Sequence, residues 1–142
     1  MALTDEQQEQ RRRGVADLMP KTPFIALLGL VVETFAPDDV TMRLPFRPEL
    51  TNDGSVYHGG VVASVIDTTG ALAAWSNHDF DKGVRASTVS MSVQFVGTAK
   101  NSDLLCHART VKRGRELIFT EIDATDTDSK VVAHAVQTYR IV

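Results

Sequence analysis

Hydrophobic and polar positions recur along this chain with two different periods, and the change of period separates its elements. From Val61 to Trp75 the run VVASVIDTTGALAAW is apolar on almost every side of a 3.6-residue helix, interrupted only by Ser64, Asp67, Thr68 and Thr69. A surface helix keeps a polar face, so this one is predicted to be buried over about four turns with the rest of the fold wrapped around it. The stretch Ala86 to Val96 has period two instead. Val89, Met91, Val93 and Phe95 alternate with Thr88, Ser90, Ser92 and Gln94, which predicts a strand with one apolar face and one small polar face. Five more runs read as strands. Leu30 to Phe35 and Val40 to Leu44 flank the turn residues Pro37, Asp38 and Asp39. Asp103 to Val111 and Glu116 to Ala124 are joined by Lys112-Arg113-Gly114-Arg115, and Lys130 to Ile141 follows a turn at Asp126 to Ser129. Ahead of them, Thr4 precedes Asp5 and Glu6, with Arg11, Arg12 and Arg13 behind. That is a capped, exposed helix within a helical extension over about residues 1–20, its arginines on a solvated face. The segment Phe24 to Leu28 adds one or two helical turns stopped by Gly29. One apolar helix and about six mainly antiparallel strands predict an α+β fold, a curved sheet around the helix.

Size and charge narrow the possibilities. A chain of 142 residues supports one core, so residues 1–142 are expected to form a single domain. Its 15 Lys and Arg against 18 Asp and Glu give a net charge of -3, which offers no global field to a nucleic acid. No apolar run approaches the ~20 residues of a membrane span, and Met1 to Arg13 lacks a signal-type stretch. Cys106 stands alone in an apolar run, a buried thiol rather than a disulfide or zinc ligand. His78, His107 and His134 read as surface or strand histidines without metal-ligand spacing. The expectation is a cytoplasmic protein with no metal, no cofactor, no nucleic-acid partner and no membrane partner.

Asp67 carries the most chemical information. An ionisable carboxylate in a helix that is apolar nearly all round costs several kcal/mol if unpaired. Either it bonds a loop backbone, or it is kept in a pocket as a base or nucleophile. Gly59 and Gly60 open the same helix, where the first amides have no intrahelical partner and the dipole is positive. Such an end can hold an oxyanion, although a tight turn wants glycine anyway. The irregular stretch Arg47 to Tyr57 leads straight into it. Gly60 and Asp67 are seven residues apart, on one helix face but ~10 Å apart along the axis. One chain therefore cannot bring both to one carbonyl. Two such helices running antiparallel across a two-fold axis could, with two equivalent sites per dimer and an inactive monomer.

The run Asn52-Asp53-Gly54-Ser55-Val56-Tyr57-His58-Gly59-Gly60, with Asp67 nine residues after His58, resembles the hotdog-fold acyl-CoA thioesterases of the PaaI-like, phenylacetate type. The resemblance extends from about Thr22 to Val142 and includes the strand TVSMSVQFVGTA. It implies a hotdog fold and hydrolysis of an acyl-CoA to free acid and coenzyme A by a homodimer or homotetramer. In that reading Asp67 is nucleophile or general base, the amide of Gly60, with that of Gly59, holds the thioester oxygen, and His58 and Asn52 orient the carbonyl or water. Thr88 matches a hydroxyl position that supports the water or the carboxylate. Family members often carry glycine three residues after the asparagine, whereas here Gly54 comes two after and Ser55 takes that place. Each of His58, Asn52 and Thr88 also has a plain structural reading: a loop bond, a turn residue and a strand residue. Ser64 and Thr68 are candidates for substrate contact from the helix, and Ala63, Ile66, Ala71, Ala74 and Trp75 for packing or an acyl channel. Lys100, Arg113 and Arg115 could meet coenzyme A phosphates, or serve as exposed turn residues. The rival activities are a hotdog hydratase or dehydratase and a non-catalytic acyl-CoA binding module.

Overall fold

The computed structural model describes residues 1–142. Helix α1 (Asp5–Leu18) lies within the expected N-terminal extension and carries a reciprocal cap. Thr4 Oγ1 accepts from the Gln7 amide at 3.2 Å, while Gln7 Oε1 accepts from the Thr4 amide at 2.9 Å. Its docking rests on Gln8, whose buried amide donates to Asp79 Oδ1 at 2.8 Å and accepts from the Phe80 amide at 2.8 Å. Arg11 and Arg13 do face solvent, but Arg12 reaches inward and donates to the His78 carbonyl. The short α2 (Pro23–Leu28) starts on proline and stops at Gly29, whose φ of 79° suits glycine.

The strands β1 (Val31–Ala36), β2 (Asp39–Leu44), β3 (Ala86–Phe95), β4 (Leu104–Arg113), β5 (Leu117–Thr125) and β6 (Val131–Ile141) form one antiparallel sheet in the order β1-β2-β4-β5-β6-β3. Helix α3 (Gly59–Ser76) packs across its inner face, chiefly on β2, β4 and β5. This is the expected hotdog architecture. Val62, Val65, Ile66, Leu72 and Ala73 of the helix meet Val40, Met42 and Leu44 of β2, Leu104, Cys106 and Ala108 of β4, Ile122 and Ala124 of β5, and Ala133 and Ala135 of β6. Burying each of the larger of these side chains contributes roughly 1.5–3 kcal/mol, so the helix holds the sheet as much as the sheet holds the helix. Cys106 is wholly buried, and its thiol pKa is pushed up by desolvation.

Of the helix residues expected to serve packing or an acyl channel, Ile66, Ala74 and Trp75 pack in the core, and Ala63 and Ala71 are only half-buried. Two other expectations are corrected. His78 is buried in the turn after α3, where its Nε2–H donates to the Gly83 carbonyl at 2.7 Å and its ring meets Trp75 edge-on. The alternation in β3 does not run unbroken. Thr88 pairs with Tyr139 and Ser90 with Thr138, so Val89 is an extra residue in the strand. This bulge moves Thr88 from the polar outer face to the inner face, alongside Met91, Val93 and Phe95.

Candidate active site

Asp67 sits two turns into α3, on the side that faces β3 rather than the core. Its neighbours Ile66 and Thr68 are buried, while Asp67 itself is half-buried. Two donors reach one of its oxygens. Thr88 Oγ1, turned inward by the β3 bulge, donates to Asp67 Oδ1 at 2.7 Å. Gln137 Nε2, from β6, donates to the same oxygen at 2.8 Å and to the Asp67 main-chain carbonyl at 2.9 Å. Charge-assisted bonds of this kind are stronger than neutral ones and keep a carboxylate in place. No hydrogen bond occupies Oδ2. The arrangement therefore presents one anchored oxygen and one open oxygen, as a general base or a nucleophile requires.

Gln137 was not among the residues singled out from the sequence. Its signal lies in β6, where the inward row Ala133, Ala135, Gln137, Tyr139, Ile141 contains one amide among apolar and aromatic side chains. A residue opposite is equally telling. Gly70 has no unusual φ, but a Cβ there would stand 2.7 Å from Gln137 Cδ.

The start of α3 forms a second centre. His58 is the N-cap, with its Nδ1 accepting from the Gly60 amide at 2.8 Å, and its carbonyl accepts from the Val61 amide. The Gly59 amide has no partner, so it is the open donor of the helix end, and Gly60 shares its donor with the histidine. A side chain at Gly59 would meet the Phe95 ring of β3 at 3.7 Å. The preceding loop is tied internally. Asp53 accepts from the amides of Ser55 and Val56, both at 2.9 Å, and from Ser55 Oγ at 3.0 Å. The bonds from the Val56 and Ser55 amides hold its carboxyl below the usual range. Asn52 donates its own amide to the Val56 carbonyl and exposes its side chain. Ser55 is thus spent on the turn, at the place where family members often have glycine.

Other candidates lie apart. Ser64 and Thr68 turn their hydroxyls onto the helix backbone, donating to the Gly60 and Ser64 carbonyls at 2.8 Å each. Lys100 is exposed beside the loop, its backbone bridged to Val56. Arg113 and Arg115 lie at the other end of the sheet, in the hairpin of β4 and β5, so one chain does not gather the three cations. Arg115 is exposed, whereas Arg113 is paired with Asp38 at 2.7 Å. No three His, Cys, Asp or Glu side chains converge as a metal site, and no helix is long and apolar enough to cross a membrane.

Within one chain, then, Asp67, Thr88 and Gln137 come together, and His58, Gly59 and Gly60 come together about two helical turns away. Comparison with known proteins gives the chain its relatives. The human acyl-coenzyme A thioesterase 13 is 28% identical over 120 residues, covering 82% of this chain and 84% of its own. A thioesterase family protein from Silicibacter pomeroyi has the same fold, with a TM-score of 0.83 and 27% identity over 95% of this chain and 98% of that one. The E. coli PaaI protein of the phenylacetic acid degradation operon shares the fold at 18% identity, with a TM-score of 0.82 over 95% and 96% of the two chains. Residues 54–133 match the Thioesterase superfamily, a span that runs from the loop before α3 through Asp67 and Thr88 into β6. With more than half of its length in that match, the chain belongs to the thioesterase superfamily.

Proposed function

We propose that this protein hydrolyses an acyl-CoA thioester to the free acid and coenzyme A, at a site built from two copies of the chain. The observation that carries this reading is Asp67, whose Oδ1 is held by Thr88 and Gln137 while Oδ2 has no partner. Family membership supports the thioester, and the name of the human relative supports the coenzyme A carrier.

The chemistry needs a nucleophile on the carbonyl carbon and donors on its oxygen. Acting as general base, Asp67 Oδ2 takes a proton from water as the water oxygen bonds to the thioester carbon. Collapse of the adduct breaks the carbon–sulfur bond, and the proton held on Asp67 passes to the departing thiolate. Acting as nucleophile, Oδ2 bonds to the carbon itself, the carbon–sulfur bond breaks to release the coenzyme A thiolate, and water then adds to the acyl carbon of the anhydride, freeing the acid, returning the Asp67 carboxylate and giving up the proton that the thiolate takes. The amide of Gly59, joined by that of Gly60 when the His58 ring turns away, stabilises the oxyanion, an element typically worth ~3–4 kcal/mol per good donor. Because these donors lie ~10 Å from Asp67 along α3, they come from the partner copy. An antiparallel two-fold brings its helix start, with Asn52, His58 and Lys100, toward Asp67 and the Arg115 end of the first chain. The small residues Ala63 and Ala71 on the open side of α3 leave room for an acyl group.

Thiol release from a panel of acyl-CoAs tests this. With the oligomeric state matched, Asp67→Asn is expected to lower kcat by ~100-fold or more. Equal activity in the variant would make Asp67 structural, and binding of acyl-CoA without thiol release by the unaltered protein would identify a binding module.

A further inference from the structure

Gln137 is 2% exposed and stands in an apolar row, yet only one end of its amide is used. Nε2 donates twice to a single residue, to the Asp67 carbonyl oxygen and to Oδ1. Oε1 is buried without a partner, and so is Oγ1 of Thr120, its register neighbour on β5. The orientation follows from chemistry, since a flipped amide would set Oε1 against two oxygens with no proton between them. An unpaired buried acceptor reduces stability, so folding alone does not explain an amide at this point. Gly70 adds an independent observation. Its backbone does not require glycine, glycine disfavours a helix interior, and the space where its Cβ would stand is filled by the Gln137 side chain.

We infer that Gln137 is a positioning residue for Asp67, seated by Gly70, and that together they make Oδ2 the reacting oxygen. This rests on the reading of Asp67 as the group that carries hydrolysis. By bonding the main chain and the side chain of the same residue, the Gln137 amide fixes both torsions of the aspartate. Thr88 closes the remaining approach to Oδ1 from β3. Oδ2 is then the only carboxylate oxygen that can accept a proton or attack a carbonyl. Gly70 lies three residues after Asp67, on the adjoining turn, so the gap that admits the amide is built into the helix that carries the acid.

The test uses the full-length protein with its preferred acyl-CoA, comparing Gln137→Ala, Gln137→Met, Gly70→Ala and the Gly70→Ala/Gln137→Ala pair for kcat, KM and Tm. Gln137→Met refills the space without a donor and is expected to lower kcat by ~10-fold or more, with KM within ~3-fold. Gly70→Ala is expected to lower kcat similarly because its Cβ displaces the amide, although alanine favours the helix. Added to Gln137→Ala, it should cost no further activity, because no amide remains to displace. A Gln137→Met enzyme with unaltered kcat, or losses that multiply in the pair, would overturn the inference. Asp67→Asn measured alongside separates the two levels. If it is inactive while Gln137→Met is fully active, only the positioning role fails; if it is fully active, the hydrolysis reading fails and the positioning role with it.

Discussion

At the scale of single residues, the helix start shows how one side chain can complete a backbone end. His58 Nδ1 accepts the Gly60 amide, which would otherwise be among the unpaired donors of α3. Loss of such a cap costs about 1 kcal/mol, or roughly 3 °C in a chain of this size. Calorimetry of His58→Ala should show that drop, and His58→Asn, whose side-chain oxygen can accept the same amide, should restore most of it. Asp67 and the glycines were legible in the sequence because each breaks a local pattern: a charge in an apolar helix, or paired glycines at a helix start; His58 was singled out through the family-like run that contains it, and its bond to the Gly60 amide fits the plain reading of a bond at the helix entry. Gln137 breaks one too, but its strand had first to be given a register before its inward direction could be read. The use of Arg113 was hidden for the same reason, since Asp38 is 75 residues away in sequence.

Among the elements, β3 is the one whose detail the sequence conceals. Its alternation of Val89, Met91, Val93 and Phe95 correctly predicts a strand, but it places Thr88 on the outer face. An extra residue is invisible within one strand and appears only against β6, where Thr88 and Ser90 pair with consecutive partners. The bulge gives Asp67 its second donor. Thr88→Val keeps the shape and removes the hydroxyl, so kcat is expected to fall ~10-fold, as for the loss of one hydrogen bond to a charged group. Thr88→Ser should retain most of the activity, and thiol-release kinetics on both variants decide the point. The other strands and α3 were legible to within two or three residues because their periods are long and clean. The stretch from Arg47 to Tyr57 was legible as a loop, while its 3-10 turn over Pro48–Leu50 and its internal bonding through Asp53 were not.

The whole molecule is held at the end of α3 remote from His58 by Asp38. This residue adopts φ 60° in the turn between β1 and β2, where its amide donates to Ser76 Oγ at 2.8 Å and its carbonyl accepts from the Thr110 amide at 3.0 Å. Its carboxylate accepts from Arg113 and Asn77, both at 2.7 Å. Burial would raise its pKa, but these bonds and the Arg113 charge outweigh burial and hold it below the ordinary value. A lowered folded-state pKa means that the pairing stabilises the fold above about pH 4 and is lost as pH falls through the folded-state value. Asparagine tolerates the same backbone. Asp38→Asn is therefore expected to be about 1 kcal/mol less stable at pH 7 and less sensitive to acid below pH 4, as urea titrations at both pH values would show. The overall wrapping of sheet around helix was legible from the absence of a polar face on α3. How that helix divides its labour was less so. Val65 and Ile66 are fully buried in the core, and Asp67 follows them directly on the same turn. No hinge or loop separates the acid from the core, so the motion that would misplace it is the opening of the core itself. On heating, the aspartate stays aligned within its own chain until the cooperative transition, so with a site built from two copies, activity lost before melting would report the parting of the copies and not a displaced acid.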